Sequence, residues 1–591
     1  MTHRPSLLAG VLSGTLGALC LGGLALAQPA QDFEQLVEDY EAYNDSRDII
    51  GRGRKGDLEA AAMWPDRSFE AITADDEQME AFHDRLEDID ETALEGQDRA
   101  SYAVLDYILS NAVALPDATS AMMPFTNDSG FQSMASFIAM SERPRTVEQA
   151  EAWIARIEAL PAHLAQYRAW LERGMELGWT QPRDILPGVA DQLDAQIADD
   201  PAESVLFQPI ANLPETIGEE ERARLREAAL AAIEEEAMPA YRQLSEFFRE
   251  EYMPAGREEL GISSVPGGRE WYEKLVRYHT TLDQTPEEVH QRGQAEVARI
   301  RAEMEEVIAE SGFEGSFEEF LDFLRTDEQF YAETEEELLM HAAWLAKQAD
   351  DQMPAFFNHL PRLPYGVRPV PASIAPSYTT ARYWGGSLEE GRAGGYMVNT
   401  YQLDQRPLYE LPALTLHEAV PGHHHQVAIA QELENVPEFR RENYITAFGE
   451  GWGLYSERIG LDMGIYDTPY EHFGRLTYEM WRACRLVADT GIHWYGWSRD
   501  EAEACFLENS ALSELNIRNE VSRYISWPGQ ALAYKTGELL IRELRTDAEE
   551  ALGENFDLAE FHDAVLEDGA LPLAYLEDKM RTWIEEQAQE G

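Results

Sequence analysis

Lysine is almost missing from this chain of 591 residues: it occurs only at positions 55, 274, 347, 535 and 579. With 47 basic against 110 acidic residues the formal net charge is −63. So negative a surface repels nucleic acid and anionic lipid, which argues against both as partners. Cysteine is scarce too. Cys20 falls in an N-terminal apolar run, and only Cys484 and Cys505 remain beyond it. Two cysteines exclude a disulfide scaffold and any cysteine-rich metal centre. Export would permit a bond between them, but spacing alone does not decide it. Past residue 26 no stretch approaches the ~18 apolar residues of a membrane span. Glycine-rich phosphate loops and a nucleophile elbow are absent as well, which removes kinase and serine-hydrolase readings.

What is present begins with an export signal over residues 1–27. His3 and Arg4 precede an apolar run from about Leu7 to Leu26, and Ala25-Leu26-Ala27 is a small-residue cleavage site. Leu19 fits poorly before a lipidated cysteine at Cys20. The mature chain is expected to start near Gln28, soluble and exported, and periplasmic if the source is Gram-negative.

The mature length suits two lobes. Apolar residues recur at three- and four-residue spacing over Glu148–Ala159, His163–Met175 and Glu219–Glu251, which predicts helices with breaks at Leu160-Pro161 and at Trp179–Pro182. The turn Val265-Pro-Gly-Gly268 predicts a boundary between an N-terminal helical lobe, 28–265, and a catalytic lobe, 266–591. Thr285-Pro-Glu-Glu288 caps a long helix. Between Leu360 and Gln402 prolines, glycines and tyrosines replace that periodicity, and Gly395–Thr400 reads as a short strand, an edge on which an extended peptide could pair. Tyr378–Gly386 reads either as a cleft-lining loop or as a connector. The expected fold is mostly α, two-lobed and peptidase-like, with a small β-sheet next to a zinc helix.

That helix is the stretch Leu411–Gln426, which holds His417-Glu418-Ala-Val-Pro421-Gly422-His423-His424-His425. In a helical zinc motif two histidines at i and i+4 share a face and the glutamate after the first is general base. Here position i+4 is Pro421. On an unbroken helix His423 lies about 120° from His417, and His424 shares its face but sits about 10 Å along the axis. A bulge at Pro421-Gly422 would swing His423 into the i+4 place.

A third ligand is expected from the run Phe448-Gly-Glu450-Gly-Trp452-Gly-Leu-Tyr455-Ser-Glu457. Glu450 and Glu457 are seven apart and share a helix face. Either could reach a neighbouring helix, one to ligate and the other to orient a histidine. The glycines beside Glu450 allow close helix approach and favour it as ligand, with Glu457 as support.

The chain resembles a bacterial family of unknown function, DUF885, whose members look like distant relatives of helical zinc metallopeptidases. The resemblance runs through Pro266-Gly-Gly with Tyr272, Thr285–His290, His417-Glu-Ala-Val-Pro-Gly-His423, Glu450-Gly-Trp, Arg485–His493 and Pro528–Lys535. It implies a gluzincin-like site with His417, His423 and Glu450 on one Zn2+ and Glu418 as base. Within that pattern Asp489 and His493 stand four apart, which makes His493 a candidate imidazole for orientation or oxyanion stabilisation. Tyr534, and after it Tyr524, are candidate phenol donors to an oxyanion. Arg523 and Lys535 are candidates for a peptide carboxylate. The function expected is zinc-dependent hydrolysis of short peptides. The alternatives are an amidase or esterase on a non-peptide substrate, and a peptide-binding protein with a degenerate metal site.

Overall fold

The structure, a computed structural model, describes residues 16–590 except 373, 374, 376, 377, 389 and 390. Of the expected export signal, residues 1–15 lie outside that range. No helix among the described residues is long and apolar enough to cross a membrane.

The architecture is mostly α-helical, as the periodicity predicts. Helix α1 (Gly96–Ala114) and helix α2 (Val147–Leu177) belong to the N-terminal half. The break expected at Leu160-Pro161 does not occur: α2 runs through Pro161. A proline there forfeits a backbone hydrogen bond, but Ile157, Leu160 and Leu164 on either side are buried, and that burial holds the helix together. The predicted stop at Trp179 is real, with Gly178 at φ 76° ending the helix. Glu219 to Ala255 is helical with two π-helical turns, Ile233–Ala237 and Phe248–Tyr252. Each stands just before a Met-Pro pair, Met238-Pro239 or Met253-Pro254, where a wider turn accommodates the missing N–H.

Helix α3 (Gly268–Thr280) follows the Pro266 turn, and α4 (Pro286–Ser311) starts with a reciprocal Thr285/Glu288 capping box. One small sheet precedes the histidine stretch. Its strands are β1 (Tyr365–Pro369), β2 (Ala381–Trp384) and β3 (Gly394–Val398), in the order β1-β3-β2. β3 pairs parallel with β1, Val367 opposite Tyr396, and antiparallel with β2, Tyr383 opposite Tyr396. The expected edge strand at Gly395 is therefore the centre of the sheet, and β2 is an edge. Burial on both faces of β3 explains its unbroken apolar text.

The remaining helices are α5 (Leu411–Glu418), α6 (His423–Gln431), α7 (Thr446–Asp462), α8 (Pro469–His493), α9 (Arg499–Asn509), α10 (Glu514–Ser526) and α11 (Ala533–Leu552). α8 is the axis of this half, because every residue from Phe473 to His493 is buried. It packs along α4, while α7 packs along α11 and against α5. Cys484 on α8 and Cys505 on α9 are joined in a disulfide. The two large clusters of buried apolar side chains both draw on residues before and after Val265: one joins Trp64 and Ile157 to Ala483 and Ile525, the other Phe33 and Leu109 to Trp452 and Ile541.

Candidate metal centre

Sequence breaks the histidine helix in two. α5 is buried all round and stops at Ala419, whose φ of −100° and ψ of −112° leave the helical region. A cis Val420-Pro421 bond and Gly422 follow, and α6 begins at His423. The expected bulge in one helix is thus a full interruption between two. Gly422 is required because a Cβ there would stand 2.0 Å from the His417 carbonyl oxygen. Its N–H donates to the Leu416 carbonyl at 2.9 Å, and the Trp452 indole N–H donates to the Pro421 carbonyl at 2.7 Å, so the turn is satisfied from within and from α7.

The interruption brings His423 beside His417. Their ring centroids are 4.7 Å apart and nearly perpendicular. Glu450 enters from α7, its Oε2 3.4 Å from His417 Nε2 and 3.5 Å from His423 Nε2. One ligand atom from each of the three residues falls within 4.8 Å of the others. Ligands about 2.1 Å from a tetrahedral zinc lie about 3.4 Å from one another, so the donor set suits that ion. His424 and His425 turn elsewhere. His424 hydrogen-bonds the Tyr383 hydroxyl and the Leu363 carbonyl, and His425 packs on Phe357 with both nitrogens buried.

Glycines set the approach of α7. A Cβ on Gly453 would stand 2.8 Å from the His417 ring, and one on Gly451 2.6 Å from Gly537 of α11. Glu457, one heptad after Glu450, places Oε1 2.8 Å from His417 Nδ1 and is itself 3.6 Å from Arg482. Burial disfavours a charged His417, yet the hydrogen bonds to Glu450 and Glu457 outweigh it and push the imidazole up to about 10. Two carboxylates thus flank the one imidazole.

Glu418 follows His417 and is 8% exposed. Its Oε2 accepts the Tyr383 backbone N–H of edge strand β2 at 2.6 Å, which ties the sheet to the centre. Tyr444, on the other side, donates its hydroxyl to Glu450 Oε1 at 3.2 Å while staying 45% exposed. Tyr534 on α11 lies within electrostatic reach of Tyr444. Its hydroxyl accepts from Arg523 at 3.3 Å, and the Arg485 guanidinium lies 4.2 Å from its ring centroid.

Four expected site residues have other work. His493 does not pair with Asp489. Its Nδ1 accepts the Ile262 N–H at 3.0 Å and its Nε2 donates to the Tyr524 carbonyl at 2.9 Å, so it joins backbone segments far apart in sequence, and burial pushes it down to about 3. Asp489 accepts from the Tyr272 hydroxyl at 2.6 Å and the Gly529 N–H at 3.1 Å, and so anchors the Pro528-Gly529 turn. The Tyr524 hydroxyl is enclosed by Trp481, Arg485 and Glu520. Lys535 is wholly buried and bonded to Glu296, Glu479 and Glu538 at 3.1, 2.8 and 2.7 Å. On α11 a residue and its successor face different ways, and Tyr534 takes the side toward Arg523 and Tyr444. Arg523 also donates to Gln530 at 2.6 Å.

Tyr383 falls in Tyr378–Gly386, read from sequence as a cleft-lining loop or a connector and found to hold strand β2; Tyr444 was missed. Tyr383 contributes a backbone donor, which no residue type advertises. Tyr444 precedes the glycine run in a stretch without periodicity.

The family model described as bacterial protein of unknown function (DUF885) matches residues 50–580. The crystal structure of a presumed lipoprotein from Colwellia psychrerythraea superposes with a TM-score of 0.83 at 25% identity, over 94% of this chain and 99% of that one. A presumed lipoprotein of unknown function from Shewanella oneidensis superposes with a TM-score of 0.71 over 93% of this chain and 99% of that one. At 17% identity that likeness shows the fold alone. No protein with a curated description matches the chain.

Proposed function

The chain belongs to the bacterial DUF885 family, and on that premise we propose that it is an exported zinc-dependent hydrolase that cleaves short peptides. The observation that carries the reading is the meeting of His417, His423 and Glu450 within 4.8 Å, beside a carboxylate, Glu418, aimed by the N–H of an edge strand. His417, His423 and Glu450 would hold the ion. Zinc bound there supplies Lewis acidity, polarising a carbonyl and making a water acidic near neutral pH.

The chain's own groups account for the rest. Glu418 takes the proton of the attacking water and passes it to the leaving amine. The Tyr383 N–H occupies Oε2, which leaves Oε1 for that transfer. β2 is an outer strand of the sheet beside the centre, so a substrate laid along it brings its carbonyl near Glu418. This favours a peptide over a compact ester or amide. Tyr534, whose hydroxyl accepts from Arg523 and keeps its own proton to give, donates to the oxyanion.

The test is to prepare the chain from Gln28 onward, supply zinc, dialyse, and measure bound metal beside cleavage of a mixed short-peptide library. Wild type is expected to keep about one zinc per chain, His423→Ala to lose it, and Glu418→Gln to keep it but cleave nothing. A wild type that holds no metal after zinc is supplied overturns the ligand assignment.

A further inference from the structure

A cavity of about 610 Å3 opens between α1, α3 and the turn Ser526–Pro528. We propose that it is the subsite for one bulky apolar, preferably aromatic, side chain of the substrate peptide. The proposal rests on the reading of the metal centre as a peptidase site and adds the class of residue that the enzyme selects.

The walls are aromatic. Tyr107 and Tyr278 stack in parallel with centroids 5.8 Å apart, and Trp179 meets Trp271 edge to face at 5.4 Å. The lining contains no lysine, arginine or glutamate, and its one acid, Asp117, is exposed. Burial pushes His279 in the wall down to about 3, so it is uncharged at neutral pH. Such a chamber offers an acidic side chain no counter-charge and a planar apolar one several ring faces and edges.

The chamber also adjoins the chemistry. Asn443 lies in its wall, and the next residue, Tyr444, bonds the ligand carboxylate of Glu450. Trp527 in the wall has the Arg523 guanidinium 5.6 Å from its ring, and Arg523 holds the Tyr534 hydroxyl. One consecutive pair and one ring contact thus link the cavity to Glu450 and to Tyr534.

The experiment separates binding from turnover by using zinc-loaded Glu418→Gln protein. Peptides of one length, differing at a single position as Phe, Leu, Ala, Asp or Lys, are titrated with tryptophan fluorescence and calorimetry as readouts. Each position is scanned in turn. At one position Phe is expected to bind at least about 10-fold tighter than Ala, the discrimination one filled apolar pocket gives, with Leu between them and Asp weakest. Ala112→Trp in the same background, which places an indole in the cavity from α1, should abolish the Phe preference and leave the Ala peptide's affinity unchanged. Ser120→Phe, from another part of the wall, is the second variant should the first fail to melt cooperatively. Equal affinities at every position, a preference for Lys, or a Phe preference that survives both fillings overturns the proposal. Peptides that bind with the Phe preference while wild type cleaves none of them uphold the subsite and sink the hydrolase.

Discussion

His417 and Glu457 share a 2.8 Å hydrogen bond between helices α5 and α7, with both side chains almost sealed from solvent. Nδ1 is thereby committed to Glu457, and Nε2 is the nitrogen that faces Glu450 and His423. Removing such an orienting partner costs about 10- to 100-fold in metal affinity. Glu457→Ala is expected to show that loss in competition with a chelator of known strength, while keeping its far-UV dichroism. Unchanged affinity would remove Glu457 from the centre.

Tyr534 and Tyr524 separate by role. Loss of one oxyanion donor lowers kcat by about 10²- to 10³-fold. Tyr534→Phe should show that fall with KM nearly unchanged on a cleaved peptide, whereas Tyr524→Phe should lower the melting temperature and leave kcat within a factor of a few. The reverse pattern would exchange the two assignments.

Lys535 is bonded to three buried or half-buried glutamates. Breaking a buried ion network by removing one partner costs about 3–5 kcal/mol. Lys535→Ala should therefore shift the urea midpoint strongly and leave bound zinc and peptide affinity unaltered in the folded fraction. A KM effect without a stability effect would restore it to the substrate site.

His163 gives a signed pH dependence. Burial against Trp64 pushes its imidazole down to about 4, against about 6.5 in an unfolded chain. The unfolded chain takes up the proton first as pH falls, so the contribution is intact above pH ~6.5 and is lost down to ~4, about 3 kcal/mol in all. Urea midpoints of wild type should fall more steeply between pH 7 and 4 than those of His163→Asn. Parallel profiles would show that His163 is not the group responsible.

The Cys484–Cys505 bond closes a loop of 21 residues between α8 and α9, and loops of that size contribute about 3 kcal/mol through the unfolded state. Cys505→Ala is expected to unfold at lower urea by about that amount, with metal content retained.

The outline of this molecule was open to a reader of its sequence where chemistry repeats along a helix. Thr285 announced a helix cap because its partner lies within one turn, and the structure adds Glu288 as the reciprocal half of a capping box. Glu450 and Glu457 announced a shared face because seven residues are about two turns. What stayed hidden depended on tertiary approach. Asp489 and His493 have helix spacing, yet Tyr272, Gly529, Ile262 and Tyr524 claimed their atoms from other segments. Lys535 stood out for its rarity and proved to be an internal counter-ion. Gly395 read as an edge because nothing local reveals that β1 and β2 flank it.

The turn that parts α5 from α6 also ties the two histidines to a helix distant in sequence. Its Pro421 carbonyl is held by Trp452, on the same helix that brings Glu450 and Glu457, so no short piece of chain carries two ligands in working register. The three residues proposed to hold the ion therefore meet only where α7 is docked against α5.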